Sequence, residues 1–283
     1  MKEVSNQELV RAFEIFKNSV FAVEVDLRFW EFFLKYSIEE QKGKNSISND
    51  AIFCANDIVP ITNQWVLKCS KDVDSIKAAN LESRQKDFFA WVANFSILRV
   101  YNALEIFLLQ AIKLRFFPTF NSSTSRKKES DFLKKEIQKF LKSNGFSPDT
   151  KNNRHIIQFL KQQVPDLKTF LELPIREDLT TNWERFFELI SILRNVISHH
   201  GAVVDDDVRN RIQSRSRDVF QRHFTLPLDD NNYMKLLPNG DNFLNFLAMF
   251  KDMGINCAKI VFDEQDFGIF KMTRNPLFTD DLS

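Results

Sequence analysis

Apolar residues recur at helical spacing over most of the chain, and this pattern predicts a protein built almost entirely of α-helices. The longest such pattern runs from Leu81 to Phe117 and is ended by Pro118. It contains one apolar stripe with intervals of three or four residues, made of Ile97, Tyr101, Leu104, Leu108 and Ile112. A stripe of this kind indicates a long helix with one face in the core.

Shorter patterns of the same period predict further helices. Their ranges are 6–41 (as one or two helices), 63–79, 129–143, 154–164, 183–200, 205–223 and 241–262. The polar stretch 42–50 predicts a loop. Asn144 and Gly145 are expected to close the helix before them, and Pro165 is expected to end its helix. His155 is predicted to be a surface residue near a helix start.

Composition also favours an all-α fold. Six glycines among 283 residues provide few of the turns that an all-β architecture needs, and thirty phenylalanines bury large apolar areas without hydrogen-bond partners. We therefore predict a helical bundle with additional N-terminal helices. Its regions are an N-terminal helical part over 1–80 (a subdomain or a core extension), a main helical domain over 81–265 and an irregular tail over 266–283.

The most informative segment runs from Arg194 to His200 and ends the predicted helix 183–200, just before Gly201. An arginine, an amide and imidazoles provide an anion-binding group, a hydrogen-bond partner and a proton carrier, which metal-free phosphodiester chemistry requires. At about 100° per residue, Asn195 and His199 share one helix face, whereas Arg194 lies roughly 140° from His199. Arg194 reaches the same space only through its long side chain, so we expect the group to point into a groove between helices or subunits.

A purely structural role explains the same residues. Histidine in the last turn of a helix complements the helix dipole, and the glycine that follows takes the left-handed conformation. His200 faces away from His199 and is either a second acid or base or a bystander.

The segment Arg194–His199 resembles the Arg-x4–6-His motif of the HEPN superfamily, and the run Ile97–Leu108 is similar to that family's long early helix. The resemblance covers roughly residues 85–265 and implies a bundle of four or five core helices that pairs as a homodimer through the motif helix. Many HEPN domains are metal-independent endoribonucleases of toxin–antitoxin and anti-phage systems, and others are non-catalytic modules. The resemblance implies that Arg194 and His199 are catalytic, with Asn195 at the polar position after the arginine.

Other charged residues extend the candidate site. Glu105 lies at the edge of an apolar stripe and needs a partner, so it either orients Arg194 or a catalytic histidine, or forms a structural pair. The helix 205–223 carries three arginines near one stripe, Arg211, Arg215 and Arg222. They either contact RNA phosphates or pair with the acidic residues 205–207, 218 and 229–230. The lysine-rich run 126–142 is either a phosphate track or a solvated helix face.

The remaining features restrict the class of protein. The 39 basic and 38 acidic residues are nearly balanced, so any RNA contact must come from a local patch. The three cysteines lack the spacing of metal ligands, and neither a metal site nor a cofactor is expected. No apolar run resembles a secretory signal or approaches the ~20 uncharged residues that span a bilayer. We therefore expect a cytoplasmic protein that does not bind a membrane.

Two functions are consistent with these features. The first is a homodimeric HEPN-type endoribonuclease that binds RNA, uses Arg194, Asn195, His199 and His200, and serves as a toxin or anti-phage effector with an inhibitory, antitoxin-like partner. The second is a non-catalytic helical module for dimerisation or nucleotide binding.

Overall fold

Helices make up most of the fold, which confirms the all-α prediction. The computed structural model describes residues 2–43, 54–59, 64–69, 78–118, 126–150, 153–229 and 232–263. Within those ranges the helices are α1 (Lys2–Gly43), α2 (Ala78–Phe116), α3 (Arg126–Ser143), α4 (His155–Gln163), α5 (Pro165–Glu172), α6 (Trp183–His200), α7 (Asp206–His223) and α8 (Gly240–Phe262). The predicted loop 42–50 (beyond Gly43) and the tail 266–283 lie outside the described residues.

Residues 64–69, which belong to the helix predicted over 63–79, form a strand of a hairpin, so that prediction is wrong for this stretch; residues 70–77 lie outside the described residues. Strands β1 (Cys54–Val59) and β2 (Gln64–Cys69) pair antiparallel, with Val59 opposite Gln64 and Cys54 opposite Cys69. The apolar run at the centre of β2 is only three residues long. Periodicity cannot distinguish a strand from a helix over so short a run, which explains the error.

Four two-residue strands lie in the segments before and after α7. They are β3 (Val203–Val204), β4 (Phe224–Thr225), β5 (Met234–Lys235) and β6 (Leu237–Pro238). β3 pairs antiparallel with β5, and β4 pairs antiparallel with β6. These pairs join the two ends of α7 to the segment that leads into α8.

The described residues fall into two compact units, one from 1–24 and 93–283 and the other from 25–92. This division differs from the predicted boundary at residue 80, because α1 and α2 each contribute residues to both units. In the smaller unit, Trp30 of α1 packs against Phe88 of α2 with ring centroids 5.6 Å apart, and Phe29 stacks on Phe33.

The core of the larger unit is built from the apolar faces of α1, α2, α6 and α8. All five residues of the predicted α2 stripe are at most 1% exposed. Phe16 stacks on Phe107 with centroids 5.3 Å apart, and Phe186 meets Phe246 and Phe250 edge to face. The phenylalanine-rich composition is thus used for aromatic packing between helices that are distant in sequence.

Two local predictions around α4 and α5 need correction. Pro165 does more than end α4, because it is the first residue of α5, where its missing N–H costs nothing. His155 is buried, only 1% exposed, rather than on the surface. Its position at a helix start gave no sign of this, because the charged groups that act on it include Lys134 of α3 and Glu105 of α2, which are distant in sequence.

One described helical segment, Gln85–Phe116 of α2, is long and apolar enough to cross a membrane by length and composition. The most apolar window of this segment is 56% buried inside the protein. The core helix of a globular fold meets the same criterion, so the segment is weak evidence for a membrane span.

Candidate functional site

The predicted catalytic residues lie on the last two turns of α6, and local capping explains where that helix begins and ends. The Asn182 side chain accepts a hydrogen bond from the Arg185 amide (2.9 Å), which is a typical N-cap. Gly201 takes the left-handed conformation (φ 59°) and ends the helix immediately after His200. Both histidines are exposed there, so their imidazoles are open to solvent.

Arg194 turns towards the helix face that carries Asn195 and His199. Its Nη1 donates a hydrogen bond to Asn195 Oδ1 over 3.0 Å, and both side chains are half-buried. Asn195 and His199 are four residues apart and therefore neighbours on one face of α6. The guanidinium thus reaches Asn195, about 100° around the helix in the direction of His199.

Tyr101 lies beside this group in the core. Its hydroxyl is 3.4 Å from Ser191 Oγ, and Ser191 in turn donates to the Phe187 carbonyl (2.8 Å), so Tyr101 is the donor to Ser191. Burial raises the pKa of Tyr101 to about 12; the Glu105 charge also raises it, and the Arg194 charge lowers it. Tyr101 therefore stays protonated, and both charged groups lie within electrostatic reach of it.

Glu105 forms a structural pair, not a contact with Arg194 or a histidine. Its Oε1 accepts a hydrogen bond from Lys134, and its Oε2 accepts one from Asn153 Nδ2 at 2.6 Å. Nearby, burial lowers the pKa of His155, and the Lys134 charge lowers it further. The structure therefore places Glu105 in a junction between α2, α3 and the start of α4.

Glu188, a residue that the sequence analysis did not single out, organises the arginines beside α6. Its side chain is 10% exposed and accepts hydrogen bonds from Arg154 (2.8 Å) and Arg215 (2.6 Å), with Arg211 at 3.9 Å. A buried carboxylate is retained only when it is well paired, and here guanidinium groups from two other elements supply the pairing. The same rule that drew attention to Glu105 would have identified Glu188, because it interrupts the apolar face of α6.

The three predicted RNA-binding arginines divide into two groups. Arg211 and Arg215 lie at Glu188, about half exposed, whereas Arg222 pairs with Asp178 over 2.7 Å at the other end of α7. The alternative pairing with the acidic residues of 205–207 occurs at Arg209, which binds Asp206 at 2.8 Å. Asp218 receives hydrogen bonds from threonines and not from an arginine.

Helical geometry relates Arg215 to the end of α6. Glu188, Asn195 and His199 are separated by seven and four residues, so they lie within about 40° of one another around the helix axis. Arg215 is bound to Glu188 and therefore lies against the face of α6 that carries Asn195 and His199. His199 is the last residue of that face. Glu188 and His199 are eleven residues apart, and at about 1.5 Å per residue this separates them by roughly 16 Å along the helix axis.

No cluster of three or more metal-ligating side chains occurs in the part of the chain that the structure describes. The residues at the end of α6 offer acid–base and electrostatic chemistry: a cation to hold an anion, an amide to orient it, and two imidazoles to move protons.

Comparisons with protein-family models, curated proteins and solved structures found no match for this chain. The resemblance to HEPN domains therefore depends on the motif of α6 and the long helix α2, and it stays a prediction.

Proposed function

We propose that the protein is a metal-independent endoribonuclease of the HEPN type that acts as a homodimer. One observation carries the proposal: the Arg194 guanidinium is bonded to Asn195, on the helix face that ends in the exposed His199. An anion-binding group, a polar orienting group and a proton carrier are thus present together on one helix end.

In the proposed reaction the ribose 2′-hydroxyl attacks the adjacent phosphorus. The bond from phosphorus to the 5′-oxygen breaks, leaving a 2′,3′-cyclic phosphate and a free 5′-hydroxyl. Arg194 binds the scissile phosphate and stabilises the negative charge that its oxygens gain in the transition state. Asn195 holds the phosphate or orients His199.

Two proton transfers are required, one from the attacking hydroxyl and one to the leaving oxygen. His199 performs one of them, and either His200 or the His199 of a second copy performs the other. A second copy suits this chemistry because His199 and His200 point in different directions from α6, whereas two-fold symmetry brings identical residues to one cleft.

The decisive experiment measures cleavage of a set of structured RNAs by the purified protein in EDTA. We expect the wild type to cleave, and Arg194→Ala and His199→Ala to lose activity while unfolding at the wild-type temperature. Arg217→Ala is the matched control, because it removes an exposed arginine from α7. Equal cleavage by the wild type and both active-site variants would assign the activity to a contaminant.

The second candidate is a non-catalytic module for dimerisation or nucleotide binding. The observation in its favour is that both imidazoles occupy the last turn before the left-handed Gly201, where histidine also serves a capping role. Retained nucleotide binding by a protein that cleaves none of the RNAs would support this function.

A toxin or anti-phage role, with an inhibitory partner, is proposed from the family resemblance alone.

A further inference from the structure

We propose that a second site, the cleft between α4, α6 and α7, binds the phosphate groups of a nucleotide or of an RNA strand. The cleft has a volume of about 760 Å³, within the range of small-molecule sites. It is lined by Arg154, Lys161, Arg185 and Arg215 and includes none of the residues proposed for catalysis. We refer to these four as the basic wall.

Positive charge exceeds negative charge in this cleft. Its three carboxylates are already paired: Asp149 with Arg154 (2.6 Å), Glu184 with Lys161 (2.7 Å), and Glu188 with Arg154 and Arg215. Arg185 is exposed, and in the described chain no acidic side chain pairs with it. An anion in the cleft would therefore meet a cation that has no competing carboxylate.

Two arginines of the basic wall, Arg154 and Arg215, are held in place before any ligand arrives. Glu188 binds Arg154 through one oxygen and Arg215 through the other. A guanidinium carries five N–H donors. Arg215 uses one terminal nitrogen for this bond, whereas Arg154 also uses its other terminal nitrogen for Asp149. The N–H donors that remain suit phosphate oxygens. Because the guanidinium groups of Arg154 and Arg215 are already fixed, less conformational entropy is lost when a phosphate binds.

This inference does not depend on cleavage at the end of α6. Arg215 and His199 lie against the same face of α6, so an RNA strand bound by the basic wall would extend towards His199. A free nucleotide would occupy the cleft without reaching it. The two ligands share the phosphate chemistry, and the experiment separates them.

The test measures binding of a fluorescein-labelled single-stranded RNA by anisotropy in EDTA. Its 2′-hydroxyls are methylated, which blocks attack on phosphorus. Arg185→Ala and Arg215→Ala should each weaken binding roughly tenfold, the loss of one charge-assisted contact. Each should also reduce the slope of log affinity against log salt by about 0.7. Arg185→Ala is the safer variant, because among the described residues Arg185 has no ion pair to lose.

Arg217→Ala is the control, since it removes the same charge from an exposed residue of α7 that does not line the cleft, and it should bind as the wild type does. Competition with 5′-AMP, ATP and inorganic phosphate identifies the source of the phosphate. Displacement by ATP assigns the site to a free nucleotide, and displacement only by unlabelled RNA assigns it to a strand. Equal weakening by Arg217→Ala and Arg185→Ala, or no binding of any of these ligands, overturns the proposal.

The same series separates this inference from the proposed nuclease activity. His199→Ala should bind the methylated RNA normally even though it cannot cleave. If no variant or wild-type protein cleaves RNA but Arg185→Ala still weakens binding, the phosphate site stands and the nuclease proposal fails.

Discussion

Arg154 donates a hydrogen bond of 2.8 Å to Glu188, whose side chain is only a tenth exposed and lies in the middle of α6. Removing Glu188 would take away the carboxylate that Arg215 binds and would leave the partly buried Arg154 paired with Asp149 alone. We expect Glu188→Ala to lower the free energy of unfolding by about 2 kcal/mol, less than the ~3–5 kcal/mol of a fully buried pair, since Arg215 is half exposed. Urea-induced unfolding followed by circular dichroism measures this loss.

Glu184→Ala is the control for that variant, because it removes the same charge from the same helix. Glu184 pairs with Lys161 but is 46% exposed, so its pair is worth at most about 1 kcal/mol. Equal losses for the two variants would contradict a structural role for the Glu188 cluster.

Asp218 ties α7 to the segment before α6. Its carboxylate accepts hydrogen bonds from the Thr180 hydroxyl (2.9 Å) and the Thr181 amide (3.0 Å), and also from the Thr181 hydroxyl. Burial alone would raise the pKa of Asp218, but these hydrogen bonds outweigh it and hold the pKa well below its ordinary value. We expect Asp218→Ala to lower the free energy of unfolding by about 2 kcal/mol, because hydrogen bonds to a charged group are lost.

The lowered pKa also predicts a pH dependence. A carboxyl whose pKa is lower in the folded state stabilises the protein above its unfolded pKa and loses that contribution as the pH falls. Between about pH 5 and pH 3, the wild type should therefore lose more stability than Asp218→Asn. Asp131→Asn, which changes an exposed carboxyl, is the control and should retain the wild-type slope. Identical slopes for wild type and Asp218→Asn would show that the threonine hydrogen bonds do not favour the carboxylate.

His223 predicts a second pH effect at a higher range. It is 1% exposed, and its Nδ1–H donates to the Asn242 carbonyl at 2.7 Å. Burial lowers the pKa of His223 to about 4, and the Arg222 charge acts in the same direction, against the hydrogen bond to Asn242. The neutral imidazole thus stabilises the fold fully above about pH 6.5, and this contribution is lost as the pH falls towards 4.

His223→Asn keeps a donor near the Asn242 carbonyl but removes the titrating ring. Its unfolding free energy should vary with pH between about 6.5 and 4 by roughly 3 kcal/mol less than that of the wild type. Thermal and urea unfolding at intervals across this range give the comparison, with His200→Asn at the exposed end of α6 as control. If the unfolding free energies of His223→Asn and the wild type varied with pH in parallel, His223 would not be the source of this pH dependence.

Gly254 permits a close approach between α8 and α1. A Cβ at this position would lie 2.5 Å from Phe16 Cε1. Helix propensity alone favours alanine over glycine by about 1 kcal/mol, but the collision with Phe16 should dominate and destabilise Gly254→Ala by about 1–3 kcal/mol. Gly240→Ala is the control, because a Cβ there meets nothing within 4 Å.

A double-mutant cycle tests whether Phe16 is the cause. Combining Gly254→Ala with Phe16→Leu should cost less than the sum of the two single changes, since leucine leaves room for the new methyl group. Strict additivity would place the strain elsewhere.

The sequence predicted the long helices and their ends well because those features are local. The apolar stripe of α2 and the capping residues Asn182 and Gly201 each act within a few positions of the chain. The arginine cluster at Glu188 could not be predicted in this way. Its members come from residues 154, 188 and 215, and only the packing of α4, α6 and α7 brings them together.

The same limit applies to the candidate site. Spacing alone placed Asn195 and His199 on one face of α6, but it could not show that Arg194 bends back to Asn195. Nor could it show that the Glu105 carboxylate accepts hydrogen bonds from Lys134 and Asn153, because those partners are 29 and 48 residues away.

The sharing of α1 between the two units has a practical consequence for anyone who shortens this protein. A fragment starting at residue 81 would retain α6 but lose Phe13 and Phe16, which are at most 3% exposed. Phe107 and the surface of α8 around Gly254 would then face water, and aggregation of the fragment would follow. Biochemical work on the histidines of α6 therefore calls for a polypeptide that keeps its amino-terminal helix.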